Sequence, residues 1–189
     1  MAEAMSEPAK AGTQIVLTAD QIHRRVYDIA RQISADFAGK TLYAVCVLED
    51  GFMFMADLVR ALDVPVICQF VKPDVQEIHR GDTDTKEIFF SPEVDVKGGD
   101  VVLIHGLLQT GVTTEFLSRN MLARGANSVK ICTLLDRQSG RRVSLQPDYF
   151  GFLVDEKYVF GYGLGNPDLG RNLPYVATQK DTGARAGTK

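Results

Sequence analysis

The sequence predicts an α/β fold with a central, mostly parallel sheet flanked by helices. Three observations carry the prediction. Short apolar runs of strand length alternate along the chain with segments whose apolar residues recur at helical spacing. The runs are apolar throughout, the pattern of strands buried on both faces. The chain has 189 residues and is 45% hydrophobic, enough for one domain with a real core.

The elements follow in order. Thr18 precedes Ala19, Asp20 and Gln21, a capping box with Gln21 at the third helical position. Ile22, Val26, Ile29, Ile33 and Phe37 then share a helix face, and Gly39 ends that helix. Residues 42–48 are a buried strand, and residues 52–62 a helix with Phe54, Leu58 and Leu62 on one face. Residues 64–71 form another strand, opening at Pro65. Residues 72–87 are polar and charged and contain Gly81; they read as a mobile loop or a loose hairpin. A loop of that length inside a compact domain is usually functional or disordered. Gly98 and Gly99 make a turn into a strand at 101–104, followed by a helix at 113–124 that Gly125 stops. A strand at 129–135 and two more at 149–154 and 158–161 complete the pattern.

Alternating strands and helices imply parallel βαβ units with right-handed crossovers. Ligands in such sheets sit at the carboxyl ends of the strands. That singles out the loops at 48–51, 105–113, 136–141 and 162–171. Residues 1–13 read as a disordered lead-in without an apolar signal core, 14–178 as one domain, and 179–189 as a flexible tail.

Composition excludes several functions. With 21 basic and 24 acidic residues the net charge is −3, so no basic field exists to hold nucleic acid. No apolar run reaches the roughly 18 residues that a membrane span needs, and the expected address is cytoplasmic. Cys46, Cys68 and Cys132 lie in apolar, β-rich stretches and read as buried free thiols. His23, His79 and His105 show no ligand spacing, so they and the cysteines predict no metal site. Gly161, Gly163 and Gly165 are not a dinucleotide fingerprint: the spacing is wrong, and Pro167 follows instead of a helix start.

The most informative stretch runs from Val101 to Thr114, a buried strand leading through a small turn into a helix. Thr110, Gly111, Val112, Thr113 and Thr114 bring hydroxyls and N–H groups to a helix N-terminus, a ready site for phosphate. An ordinary turn with threonine caps would use the same residues.

This stretch resembles the diphosphoribosyl-binding signature of type I phosphoribosyltransferases, in which four apolar residues, two acids and two apolar residues precede Asp-Thr-Gly-x-Thr. Four other segments resemble the hypoxanthine-guanine phosphoribosyltransferase family in the right order. They are Ile15-Val16-Leu17-Thr18, Val47-Leu48, Phe54-Met55-Ala56-Asp57-Leu58 and Lys157-Tyr158-Val159-Phe160-Gly161-Tyr162. The resemblance implies the type I phosphoribosyltransferase fold: a central, mostly parallel twisted sheet flanked by helices, with a small hood from the terminal segments.

It also implies a chemistry. In this family a purine attacks C1 of phosphoribosyl pyrophosphate, positive charge develops on the ribose, and magnesium screens the departing pyrophosphate. The two acids that hold the ribose hydroxyls correspond to His105 and Gly106, and the catalytic aspartate to Gln109. A glutamine can hydrogen-bond purine N7 but cannot take its proton. A magnesium-binding aspartate corresponds to Gly165. The pyrophosphate loop reads Leu48-Glu49-Asp50-Gly51, where a lysine that would help the anion is Glu49, and its acids should repel pyrophosphate. The family often has a cis peptide at the position of Leu48–Glu49. No Ser-Tyr pair of the family's lid occurs around 71–75, and Pro73 stiffens that segment. Arg137 corresponds to the lysine that reads the purine 6-oxo group, Tyr158 to the stacking aromatic and Val159 to the backbone that reads the exocyclic edge. Arg171 corresponds to an arginine near the pyrophosphate.

The losses are concentrated, since Thr110, Gly111 and Thr113 remain while the acids around them are gone. The leading expectation is a family member that binds a purine nucleotide, or another phosphate-bearing small molecule, with little or no transferase activity. The alternatives are an active purine-salvage enzyme with altered chemistry and a non-catalytic subunit or regulator. No cofactor is expected, with magnesium a candidate if the chain is active. A homodimer or homotetramer, or a mixed oligomer with an active relative, is the expected assembly. Two of Phe52, Met53, Phe54 and Met55 are expected in the core and two at a surface.

Overall fold

The computed structural model describes residues 13–80, 83–91, 94–165 and 170–179, and in 74–91 the backbone alone. The chain runs β1 (Thr13–Leu17), α1 (Ala19–Asp36), β2 (Leu42–Val47), α2 (Phe52–Ala61), β3 (Val66–Arg80) and β4 (Thr83–Ser91). It continues through β5 (Asp100–Leu108), α3 (Val112–Ala123), β6 (Ser128–Asp136), a 3-10 turn (Gln138–Gly140), β7 (Tyr149–Leu153) and β8 (Val176–Gln179). The capping box forms as the sequence predicts: Gln21 N–H donates to Thr18 Oγ1 at 3.3 Å, and Thr18 N–H to Gln21 Oε1 at 2.8 Å.

The main sheet has the order β4-β3-β2-β5-β6-β7, parallel throughout except for the antiparallel β3–β4 pair. Its middle strands alternate between two cores. Ala44, Cys46, Val102 and Ile104 face the side of α1 and α2, with Ile22, Ile29, Phe54 and Leu58. Val45, Val47, Val101 and Leu103 face the side of α3, with Leu117 and Met121. Burial on both faces is why these strands read as unbroken apolar runs. Phe54 and Met55 are buried, and Phe52 is exposed. A second, two-stranded sheet pairs β1 with β8, and Phe160 bridges to Ala177 beside it, making the small hood from the terminal segments.

β2 has β3 on one side and β5 on the other, so strand order reverses between β2 and β5. The loops leaving these two strands diverge and open a crevice at their carboxyl ends, where ligands bind in such sheets. No described helix is long and apolar enough to cross a membrane.

Four expectations change. Residues 158–161 are not a strand: they make two isolated bridges, Phe160 to Ala177 and Gly161 to Leu164, and the chain turns there, with φ of 99° at Gly161 and 50° at Tyr162. β8 was not anticipated, because four residues paired to a strand at the opposite terminus carry no local pattern. β5 continues to Leu108, since His105, Leu107 and Leu108 keep pairing with Thr133, Leu135 and Asp136. Cys68 is exposed while Cys46 and Cys132 are buried; all three are free. The reason is position: at β3 the packed clusters include Val66 and Val71 but not the residues between them. Of the two readings of residues 72–87, the backbone is a hairpin, in register from Lys72↔Ser91 to Arg80↔Thr83.

Candidate functional site

A cleft of about 470 Å³ lies at the switch point. The turn after β2 gives it Glu49 and Asp50, β5 gives His105, and the turn into α3 gives Gln109, Thr110, Gly111, Thr113 and Thr114. Lys72 and Arg171 close its mouth. Nine of the residues singled out in the sequence thus meet in one place.

The turn into α3 is built for close backbone approach. Gly111 caps the helix at φ 78°, a left-handed conformation that glycine adopts without cost, and Glu115 N–H returns to its carbonyl at 2.8 Å. Val112 N–H leans to Thr110 Oγ1 at 3.4 Å. The Thr113 and Thr114 N–H groups belong to the first turn, which has no intrahelical acceptor, and the helix dipole adds partial positive charge there. Val112 itself points away, 40% exposed.

Behind this turn lies a segment that the sequence reading passed over. Arg142 N–H donates to Thr110 O at 2.9 Å, and a Cβ on Gly111 would fall 2.8 Å from Val143 Cγ2 and 3.3 Å from Arg141 Cδ. Arg141 pairs with the buried Asp136, leaving its Nε and Nη1 buried without a partner. A Cβ on Gly140 would lie 2.7 Å from Gln109 Cγ, so the 3-10 turn packs directly on the glutamine. The signal available in the sequence was the Arg141-Arg142 pair, at the end of the 136–141 loop placed at the strand ends.

His105 lines the cleft, and Gly106 follows it on β5. His105 is 5% exposed, its Nε2 has no partner, and burial pushes its pKa down to about 4, so the imidazole is neutral at pH 7. At Gly106 a Cβ would come within 2.3 Å of the Asp50 carbonyl oxygen, so no side chain fits there. The Asp50 carboxylate accepts from Leu107 N–H at 3.3 Å. Desolvation pushes its pKa above the usual carboxylate range, against the opposing pull of the Leu107 and Gly106 N–H groups.

At the mouth, Leu48–Glu49 is a cis peptide. Lys72 Nζ lies 2.9 Å from Glu49 Oε1, and Arg171 Nη1 lies 2.6 Å from Oε2. Those two cations, Lys72 first, hold the Glu49 carboxyl below its usual range. Arg171 also donates to Gly165 O from Nε at 3.3 Å and Nη2 at 3.1 Å. Gly165 has φ 100°, and a Cβ there would sit 2.7 Å from Phe160 Cβ. Both geometry and backbone therefore disfavour an acid at that position.

Arg137, Tyr158 and Val159 do not line the cleft. The Arg137 guanidinium is buried and donates to the carbonyls of Glu156 at 3.0 Å and Lys157 at 2.6 Å, so it fastens the neighbouring segment. Tyr158 is 49% exposed, with its carbonyl held by the Thr178 hydroxyl at 2.6 Å; Val159 is buried. Gly51 begins α2 beneath the cleft, where a Cβ would lie 3.0 Å from Cys46 Sγ. Among the described residues no cluster of three or more His, Cys, Asp or Glu is placed to hold a metal ion.

Residues 14–166 match the family model of the phosphoribosyl transferase domain. The chain is 32% identical over 169 residues to a hypoxanthine-guanine phosphoribosyltransferase of Staphylococcus aureus (strain Mu50 / ATCC 700699), covering 88% of this chain and 93% of that one. It superposes on the hypoxanthine phosphoribosyl transferase of Trypanosoma cruzi with a TM-score of 0.80 at 28% identity, covering 92% of this chain and 94% of that one. On a hypoxanthine-guanine phosphoribosyltransferase of Bacillus anthracis the TM-score is 0.78 at 28% identity, over 87% and 95% of the two chains.

Proposed function

Because the chain belongs to the hypoxanthine-guanine phosphoribosyltransferase family, we propose that it binds a purine nucleoside monophosphate without metal and with little or no phosphoribosyl transfer. One observation carries the reading: the N-terminus of α3 is open to a phosphate, while both carboxylates of the cleft are already engaged within the chain. A phosphate on this turn would meet the Thr113 and Thr114 N–H groups and the threonine hydroxyls, at the positive end of the helix dipole. His105 stays neutral with its Nε2 buried, so it brings no charge against the ligand and needs no metal beside it. The base would lie toward the segment that Arg137 fastens, with Tyr158 beside it as a stacking face.

Transfer asks for more. A proton acceptor is needed at the purine, and Gln109 is none. Magnesium takes six oxygen ligands, usually one or two protein carboxylates with waters and substrate phosphates. Glu49 is committed to Lys72 and Arg171, Asp50 turns onto a backbone N–H, and Gly106 and Gly165 bring no side chain. That donor set does not fit magnesium.

The test is calorimetric titration of nucleotide-free protein with guanosine monophosphate, with and without magnesium. Binding indifferent to magnesium is the expected result. A strict requirement for magnesium would overturn the reading in favour of a working transferase, and no binding in either condition would leave a scaffold.

A further inference from the structure

We propose that Glu49 acts as a built-in counter-ion at a second anion site of the cleft, making it selective for a single phosphate monoester and closed to ligands that also carry a diphosphate. The proposal rests on the nucleotide-binding reading and specifies which phosphorylated ligands that site accepts.

The cleft has two positive poles. The first is the N-terminus of α3, lined by Thr110, Gly111, Thr113 and Thr114, with no acid among these residues. The second is the Lys72–Arg171 pair at the mouth. Two cations converging on one point are an arrangement suited to a multiply charged anion such as a diphosphate. Here one carboxylate fills that point. Each Glu49 oxygen serves a different cation, Oε1 that of Lys72 at 2.9 Å and Oε2 that of Arg171 at 2.6 Å. Two further Arg171 donors, on Nε and Nη2, are turned to the Gly165 carbonyl at 3.3 and 3.1 Å. A diphosphate arriving here meets a carboxylate in the place on which both cations converge. It must expel Glu49, which then stays close enough to repel it. A phosphate on the α3 turn makes none of these demands.

Charge accounting points the same way. The mouth carries two positive charges and one negative, and Asp50 lies just below. Converting Glu49 to a neutral group doubles the net positive charge of the mouth. Even at high dielectric, removing one negative charge about 5 Å from a polyanion should raise its affinity by roughly tenfold or more at low salt.

Inorganic pyrophosphate and guanosine monophosphate are the probes, titrated without magnesium into the full chain and into Glu49→Gln. Glu49 is exposed and Gln has the same shape, so the fold is preserved. The wild-type chain should bind the monophosphate and ignore pyrophosphate. Glu49→Gln should bind pyrophosphate at least about tenfold more tightly, with an advantage that shrinks as salt is added, and should gain clearly less for the monophosphate than for pyrophosphate. Equal pyrophosphate binding by both chains, or none by either, overturns the role of Glu49 and leaves the nucleotide reading standing. A gain for pyrophosphate alone, with the monophosphate bound by neither chain, supports Glu49 and sinks the nucleotide reading.

Discussion

His105 stands on a buried strand with an unpaired ring nitrogen, and burial holds its pKa near 4 against an ordinary value of 6.5. The consequence for stability has a definite sign. As pH falls below about 6.5 the unfolded chain takes up a proton that the folded chain refuses until about pH 4. The neutral buried form is therefore fully stabilised above that window, and stability drains away as pH falls through it. The full span amounts to at most about 3 kcal/mol. Urea unfolding of wild type and His105→Asn at pH 7 and pH 4.5 checks this. The wild type should lose more stability between the two pH values than the variant does. Parallel losses would mean that the imidazole is hydrated and titrates normally. Gly106, beside it, works by exclusion: the Asp50 carbonyl occupies the space of any side chain, so the turn after β2 and the middle of β5 fit only with glycine.

At the scale of elements, the unit that matters is β5, its turn and α3, braced from behind by residues 140–143. Gly111 meets two constraints at once, a φ of 78° and the closeness of Val143. Gly111→Ala should cost about 1–3 kcal/mol of stability. It should also weaken guanosine monophosphate by more than tenfold, because the N–H groups around the turn lose their aim. Paired unfolding and calorimetric measurements would show both effects; unaltered affinity would place the phosphate elsewhere. How much of this unit the sequence disclosed follows from the range of its contacts. The strand, the turn chemistry and the helix were legible, since each rests on neighbours within a few residues. The capping box at Thr18 was legible for the same reason. The brace was not: Arg141 matters through Asp136 and Gly111, and nothing local says that its loop folds back over that turn. Lys72 was missed likewise, because its partner Glu49 lies on a different strand's loop. At residues 158–161 a β-rich composition misled, as the positive-φ turn from Gly161 to Gly163 leaves only isolated bridges.

Across the whole molecule, the sheet brings to one switch point segments that lie far apart in the chain. The positions where the family resemblance implies acids are distributed over them: His105 and Gly106 on β5, Gln109 at its end, and Gly165 in the C-terminal turn. On the proposed reading this distribution makes the loss of transfer hard to reverse at any single site. Gly106 is closed by the Asp50 carbonyl, and Gly165 by its backbone conformation and Phe160. His105 is 5% exposed, where a charged acid would lose its water, and Gln109 is the open replacement, since an aspartate is smaller and leaves the contact with Gly140 free of strain. Gln109→Asp would return a proton acceptor but no magnesium ligands, and Glu49 would still hold the mouth. The expected outcome is a folded variant that binds guanosine monophosphate and forms no nucleotide from guanine and phosphoribosyl pyrophosphate above the wild-type rate, with or without magnesium. A rise of a hundredfold or more, within the range that one acid-base group contributes, would show that metal and pyrophosphate are handled by ligands other than those missing here. The chain would then be a transferase one residue from full activity, not a binding protein that keeps the enzyme's fold.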